Sequence, residues 1–165
     1  VWYRSPVSAP TPDQFRTAMT RLPTGVTIVT ATGPDGPAGA TANAVTSLSL
    51  EPPLMLACLD RGSRTLTALR ETGRFGISVL AAGQQHLAQG FSTKAEHVEK
   101  WREVAYSERD GVPLLDGAVA WIACRVRALH DGGDHEIAVG EVFDLGGDGG
   151  DPLVFFDGEY RPLDP

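Results

Sequence analysis

The stretch Gly39-Ala-Thr-Ala-Asn-Ala-Val-Thr-Ser-Leu-Ser-Leu-Glu-Pro-Pro-Leu-Met-Leu-Ala-Cys-Leu59 joins a run of small hydroxylic and amide residues, Thr41 to Ser49, to the most apolar run of the chain, Leu54 to Leu59. Pro52-Pro53 between them cannot sit in a helix interior or donate to a sheet ladder, so two extended segments are expected, a polar one meeting a buried one. Residues 41 to 49 are too small to fill a core and too uncharged for an ordinary solvated face. They suit the close approach of a flat ligand to backbone, and they equally suit a Ser/Thr-rich edge strand, because Thr and Val favour strands in any case.

Outward from that stretch the punctuation is regular. Thr11-Pro12-Asp13-Gln14 reads as a helix start, with Thr11 as cap, Pro12 in the first turn and Gln14 completing a capping box. Phe15, Ala18, Met19 and Leu22 fall on one face, so this helix is expected to pack by an apolar stripe and to end before Pro23. Val26 to Thr32 is β-branched and strand-like, Gly33 to Gly36 is a turn, and a strand over 38 to 47 completes a hairpin. Ser63 can cap a helix that carries Leu66 and Leu69 and stops at Gly73. Further strands are expected over 75 to 80, 119 to 129, 136 to 145 and 153 to 156, short helices over 84 to 91 and 95 to 101, and a turn-rich linker over 107 to 116. Seven or so strands at hairpin spacing point to a mainly β fold, an antiparallel barrel. Residues 1 to 10 read as a flexible tail ahead of a single domain over 11 to 165.

Bulk properties exclude several classes. The 165 residues carry a net charge of −7, a field that repels nucleic acid and anionic membrane. Any phosphate-bearing ligand must therefore be held by local donors. No run approaches the ~20 apolar residues of a membrane span. Cys58 and Cys124 are isolated in strand-like segments and read as free thiols of a cytoplasmic protein.

Chemistry is sparse. The four histidines, His86, His97, His130 and His135, fit no zinc spacing. His135 follows Gly-Gly-Asp at the mouth of a strand, where Asp134 could hold its tautomer, although an idle surface turn would look the same. The loop Asp60 to Thr65 leads into the Ser63-capped helix start and offers backbone N–H groups and hydroxyls to a phosphate, unless Ser63 is a cap and nothing more. No Gly-x-Ser-x-Gly elbow supports a hydrolase, and no Gly-x-Gly-x-x-Gly follows a strand into a helix.

Seven landmarks stand in order: Phe15-Arg-Thr-Ala-Met19, Thr24-Gly-Val-Thr-Ile-Val-Thr30, Thr41 to Ser49, Pro52-Pro-Leu54, Asp60-Arg-Gly-Ser-Arg-Thr65, Gly133-Asp-His135 with Gly140-Glu-Val142, and Pro152-Leu153 with Gly158-Glu-Tyr-Arg161. On these residues the chain resembles the flavin reductase family, the FMN-binding split-barrel group that includes reductase components of two-component flavin-dependent monooxygenases. The resemblance implies a Greek-key split β-barrel with a few short peripheral helices, working as a homodimer. It implies hydride transfer from NADH, or NADPH, to FAD or FMN, with the reduced flavin passed to a partner monooxygenase. A fixed-flavin reductase for another acceptor and a non-catalytic flavin-binding module are the alternatives. By analogy, Thr41, Ala42, Asn43, Ala44, Val45 and Ser47 meet the isoalloxazine edge, and Asp60, Ser63, Arg64 and Thr65 cradle phosphate. Phe91 and Ser92 border the rest of the nucleotide, while His135, with Tyr160 and Arg161, shapes the nicotinamide side. Ala44 stands where many relatives carry Ser, so a backbone contact is expected there in place of a side-chain one.

Overall fold

The structure is a computed structural model and describes residues 9–93 and 97–163; the tail expected over 1 to 10 lies mostly outside them. Helix α1 (Pro12–Met19) opens as expected, with Thr11 Oγ1 accepting from Gln14 N at 3.3 Å and Gln14 Oε1 accepting from Thr11 N at 2.9 Å. Its apolar stripe is not packed: α1 buries no residue, and Phe15 and Leu22 are each 58% exposed.

The strands follow in chain order: β1 (Thr24–Gly25), β2 (Thr27–Gly33), β3 (Gly36–Ala42), β4 (Val45–Leu50) and β5 (Pro53–Asp60). Helix α2 (Arg64–Thr72) starts at the Ser63 cap and ends on Gly73, whose φ of 66° is the left-handed conformation that glycine adopts without a Cβ penalty. After it come β6 (Arg74–Val79), α3 (Gln85–Ser92), α4 (His97–Trp101), β7 (Tyr106–Arg109) and β8 (Val112–Leu115). The last four strands are β9 (Ala120–Gly132), β10 (His135–Gly146), β11 (Leu153–Phe156) and β12 (Glu159–Pro162).

Seven strands form one antiparallel sheet in the order β3-β2-β6-β9-β10-β5-β4. The expected barrel is left open, because β3 and β4 are the two edges of that sheet and do not pair with each other. Two smaller sheets, β1-β11-β12 and β7-β8, complete the structure. The main core lies between α2 and the large sheet, where Leu66, Leu69, Val29, Phe75, Ile77 and Cys124 are fully buried. A second cluster, including Val26, Ile28, Leu80, Phe91 and Leu153, sits under α3 and the β11-β12 hairpin.

Two further expectations are corrected. The single strand over 38 to 47 is two strands, because the chain leaves its pairing with β2 after Ala42 and crosses to β5, where Ala44 O accepts from Cys58 N at 2.9 Å. The segment 107 to 116 is not a linker but the β7-β8 hairpin, with Val112, Leu114 and Leu115 buried. Polar groups dock it: Thr30 Oγ1 donates to Pro113 O, Thr32 Oγ1 to Gly111 O at 2.8 Å, and Leu115 N donates to Ser78 Oγ at 3.0 Å.

Candidate functional site

The open seam of the sheet is where the site forms. One edge of β3 pairs with β2 and the other has no strand partner among the described residues, so part of its backbone hydrogen-bonding capacity faces outward. A cleft of about 600 Å³ lies along it, lined by Ala38 to Thr41, by Asp60 and Gly62 to Thr65 at the start of α2, by Phe91 to Thr93, and by Lys100 and Trp101. A smaller cavity of about 310 Å³ is lined by Ala40 to Ala44, Cys58 to Asp60, Ser63 and His135. The two share Ala40, Thr41, Asp60 and Ser63, which makes them adjoining parts of one groove.

At the larger end the chain is built for an anion. Asp60 Oδ1 accepts from Gly62 N at 2.7 Å and shapes the loop, and Ser63 Oγ accepts from Thr65 N at 3.2 Å. Gly62 to Thr65 line the cleft, so the positive end of the α2 dipole lies beside it, where negative charge is favoured. Arg64 and Lys100 line the same cleft. Burial first, and then the Arg64 charge, push the Lys100 ammonium below its ordinary pKa. Lys100 Nζ donates to Phe91 O at 3.3 Å. The floor is aromatic, with the Phe91 and Trp101 rings edge to face at 5.0 Å.

At the smaller end stands the β9-β10 turn. His135 opens β10 and pairs across the ladder with Asp60. Its Nδ1 lies 2.7 Å from Asp134 Oδ1, and that hydrogen bond, followed by the imidazole's charge, holds the Asp134 carboxyl below the usual range. The pairing leaves Nε2 as the nitrogen for a ligand. Cys58 also lines this cavity, but desolvation raises its thiol pKa, so it does not supply a thiolate nucleophile.

Most of the residues singled out in the sequence are brought together. Thr41, Ala42, Asn43, Ala44, Asp60, Ser63, Arg64, Thr65, Phe91, Ser92 and His135 all line the groove. The Thr41 hydroxyl donates to Ala88 O at 2.7 Å and ties α3 to β3, so its backbone is what remains for a ligand. Val45 packs against the main core, and Ser47 is exposed on β4 opposite Met55; neither is among the lining residues. Tyr160 and Arg161 lie on β12 in the small sheet, with Tyr160 against Phe155 at 5.2 Å and Arg161 over Phe156, and they line neither cavity. Gly39, Lys100 and Trp101 went unremarked in the sequence as site residues. The Lys-Trp pair reaches β3 through tertiary packing, with Trp101 against Phe91 and beside Gly39, contacts with no local signature.

The Flavin reductase like domain family matches residues 19–164, and the chain belongs to that family. It is similar to an NADH-dependent flavin reductase of Rhodococcus sp, 43% identical over 157 residues that cover 93% of this chain and 88% of that protein. It is 36% identical to the reductase subunit of a flavin-dependent monooxygenase of Rhodococcus jostii, over 93% of this chain and 79% of that one. Among solved structures, the Streptomyces globisporus NADH:FAD oxidoreductase in complex with NAD and FAD fragments superposes with a TM-score of 0.87 at 35% identity, covering 96% of this chain and 98% of that one.

Proposed function

We propose that this chain, acting through a single domain over 11 to 165, is the reductase of a two-component system. It oxidises NADH, reduces FAD or FMN, and supplies the reduced flavin to a separate flavin-dependent monooxygenase. The observation that carries the reading is the shared groove: Asn43 and His135 line one cavity, which continues into the cleft at the start of α2. The groove fits a flavin nucleotide, with an open strand edge for a planar ring, a helix start with Arg64 and Lys100 for phosphate, and an aromatic floor between Phe91 and Trp101. Bound flavin supplies the hydride-accepting ring; the protein supplies position.

Each residue then has a task that needs no strong acid or base. The β3 edge and the Asn43-Ala44 crossing present fixed backbone dipoles to the ring, and electrostatic stabilisation of that kind costs no reorganisation during reaction. Ser63, Thr65, Arg64 and Lys100 anchor the phosphate. His135, its Nδ1 engaged by Asp134, turns Nε2 toward the nicotinamide side. Holding two rings in register can lower a barrier by as much as ~7–11 kcal/mol. No helix among the described residues is long and apolar enough to cross a membrane, and we place the enzyme in the cytoplasm, with Cys58 and Cys124 as free thiols. The exposed apolar residues on and just after α1, Phe15 and Leu22, and on β4, Leu48 and Leu50, suit a homodimer. Tyr160, Arg161, Val45 and Ser47 would join the site in that assembly; a monomer in sedimentation removes that role.

Steady-state NADH oxidation with and without added FAD or FMN tests the activity. Turnover that rises with free flavin is expected; dependence on another acceptor would mark a fixed-flavin enzyme, and no oxidation a binding module. His135→Ala should raise KM for NADH about tenfold, equivalent to ~1.4 kcal/mol, with the flavin Kd unchanged. If neither moves, His135 has no part in nicotinamide binding. Lys100→Ala should weaken FMN about tenfold in a fluorescence titration and flatten the salt dependence of binding, because one half-buried cationic phosphate partner is lost.

A further inference from the structure

We propose that Arg61 is a positioning residue that sets the placement of His135 against the flavin groove, an inference that rests on the nicotinamide-side role given to His135 above. Arg61 lies in the loop between Asp60 and Ser63, yet its side chain turns away from the phosphate end. Nε donates to Gly133 O at 2.7 Å, one terminal nitrogen to Glu136 Oε1 at 2.7 Å, and the other to Asp131 Oδ1 at 2.6 Å. Its backbone N donates to Asp134 O at 3.1 Å. All four bonds end on the one turn, 131 to 136, that carries His135. Asp131 Oδ1 also accepts from Gly133 N at 2.9 Å, which closes the turn on itself.

Glu136 is the buried end of this clamp, its side chain only 12% exposed, and Arg70 of α2 donates to the same Oε1. The turn is therefore fastened twice to the segment that builds the phosphate end, by Arg61 from the loop and by Arg70 from the helix. A guanidinium suits this because its donors are held in one rigid plane; a lysine could satisfy only part of the set. The strand ladders hold the backbone of His135 against Asp60 and Gly132, but the tip beyond them has few anchors of its own, since Gly133, with φ of 82°, is at its end and Asp131 and Asp134 are exposed. Without the Arg61 side chain the His135 backbone keeps its ladder pairing and the Arg61 N bond to Asp134 O, but Asp131, Gly133 and Glu136 lose their shared anchor, and the orientation of the Asp134-His135 pair toward the groove loosens.

The test is a double-mutant cycle read at equilibrium, using NAD+ with oxidised FAD so that no turnover occurs. Arg61→Ala is expected to weaken NAD+ about tenfold while the FAD Kd stays within about twofold, and to speed amide hydrogen exchange over 132 to 136. In the His135→Ala background the same change should alter NAD+ affinity by less than about twofold, because Arg61 acts through that imidazole. Equal factors in both backgrounds, unchanged NAD+ affinity, or a parallel loss of FAD would each overturn the proposal. Should Arg61→Ala not fold, Arg61→Lys runs the same cycle with the same outcomes. If His135→Ala alone leaves NAD+ binding intact, the role of His135 falls and takes this inference with it; if His135→Ala acts and Arg61→Ala does not, only the inference falls.

Discussion

Phe75→Ala should destabilise the protein by about 3–5 kcal/mol, the range for deleting a fully buried aromatic ring. Phe75 is 0% exposed and sits on β6, paired with Cys124 of β9, in the middle of the large sheet. The ring fills the hollow left where β10 bulges between Val139 and Gly140; a Cβ placed on Gly140 would collide with the Phe75 ring and with Cys124 Cβ. The surrounding cluster, drawn from β2, β3, β5, β9, β10 and α2, cannot collapse together into that space, so the cavity term adds to the transfer term. At ~2–4 °C per kcal/mol for a domain of this size, a fall of about 10 °C in Tm is expected in calorimetry. A loss below ~1 kcal/mol would show that the ring is not the keystone of the core.

Gly39→Val should weaken flavin binding about 100-fold, or ~2.7 kcal/mol, and cost ~1–3 kcal/mol of stability. A Cβ on Gly39 would stand 2.6 Å from Phe91 Cε1 and 3.2 Å from Trp101 Cζ2. Phe91 is 2% exposed and wedged in the second cluster, so its ring cannot swing inward and must move with Trp101 into the cleft. Flavin fluorescence quenching measures the affinity, and circular dichroism confirms that the sheet persists. A folded Gly39→Val protein with wild-type affinity would remove flavin from this cleft.

Local signals in the sequence carried the elements that have local causes. The Thr11 and Ser63 caps and the Gly73 stop all appear where their chemistry puts them. The β7-β8 hairpin was hidden because its anchors are Thr30, Thr32 and Ser78, polar side chains that satisfy backbone groups more than 30 residues away. The break at Asn43-Ala44 was hidden for a related reason: the residues remain extended on both sides, and only the change of partner from β2 to β5 distinguishes two strands from one. In the site, His135 and Ser63 were legible because glycines and a cap announce them. Lys100 was not, since a lysine beside a tryptophan on a short helix says nothing of the strand it will face.

The unpaired margin of β3 has a consequence for how this protein tolerates change. On the proposed reading, a seat made of main-chain groups does not depend on the side chain at Ala44, just past the strand and exposed, so that position can alternate between alanine and serine without disturbing the occupant, whereas Ala40 and Ala42 pack on the main core and cannot. Proline is the substitution such a seat cannot absorb, because it deletes the very N–H on offer.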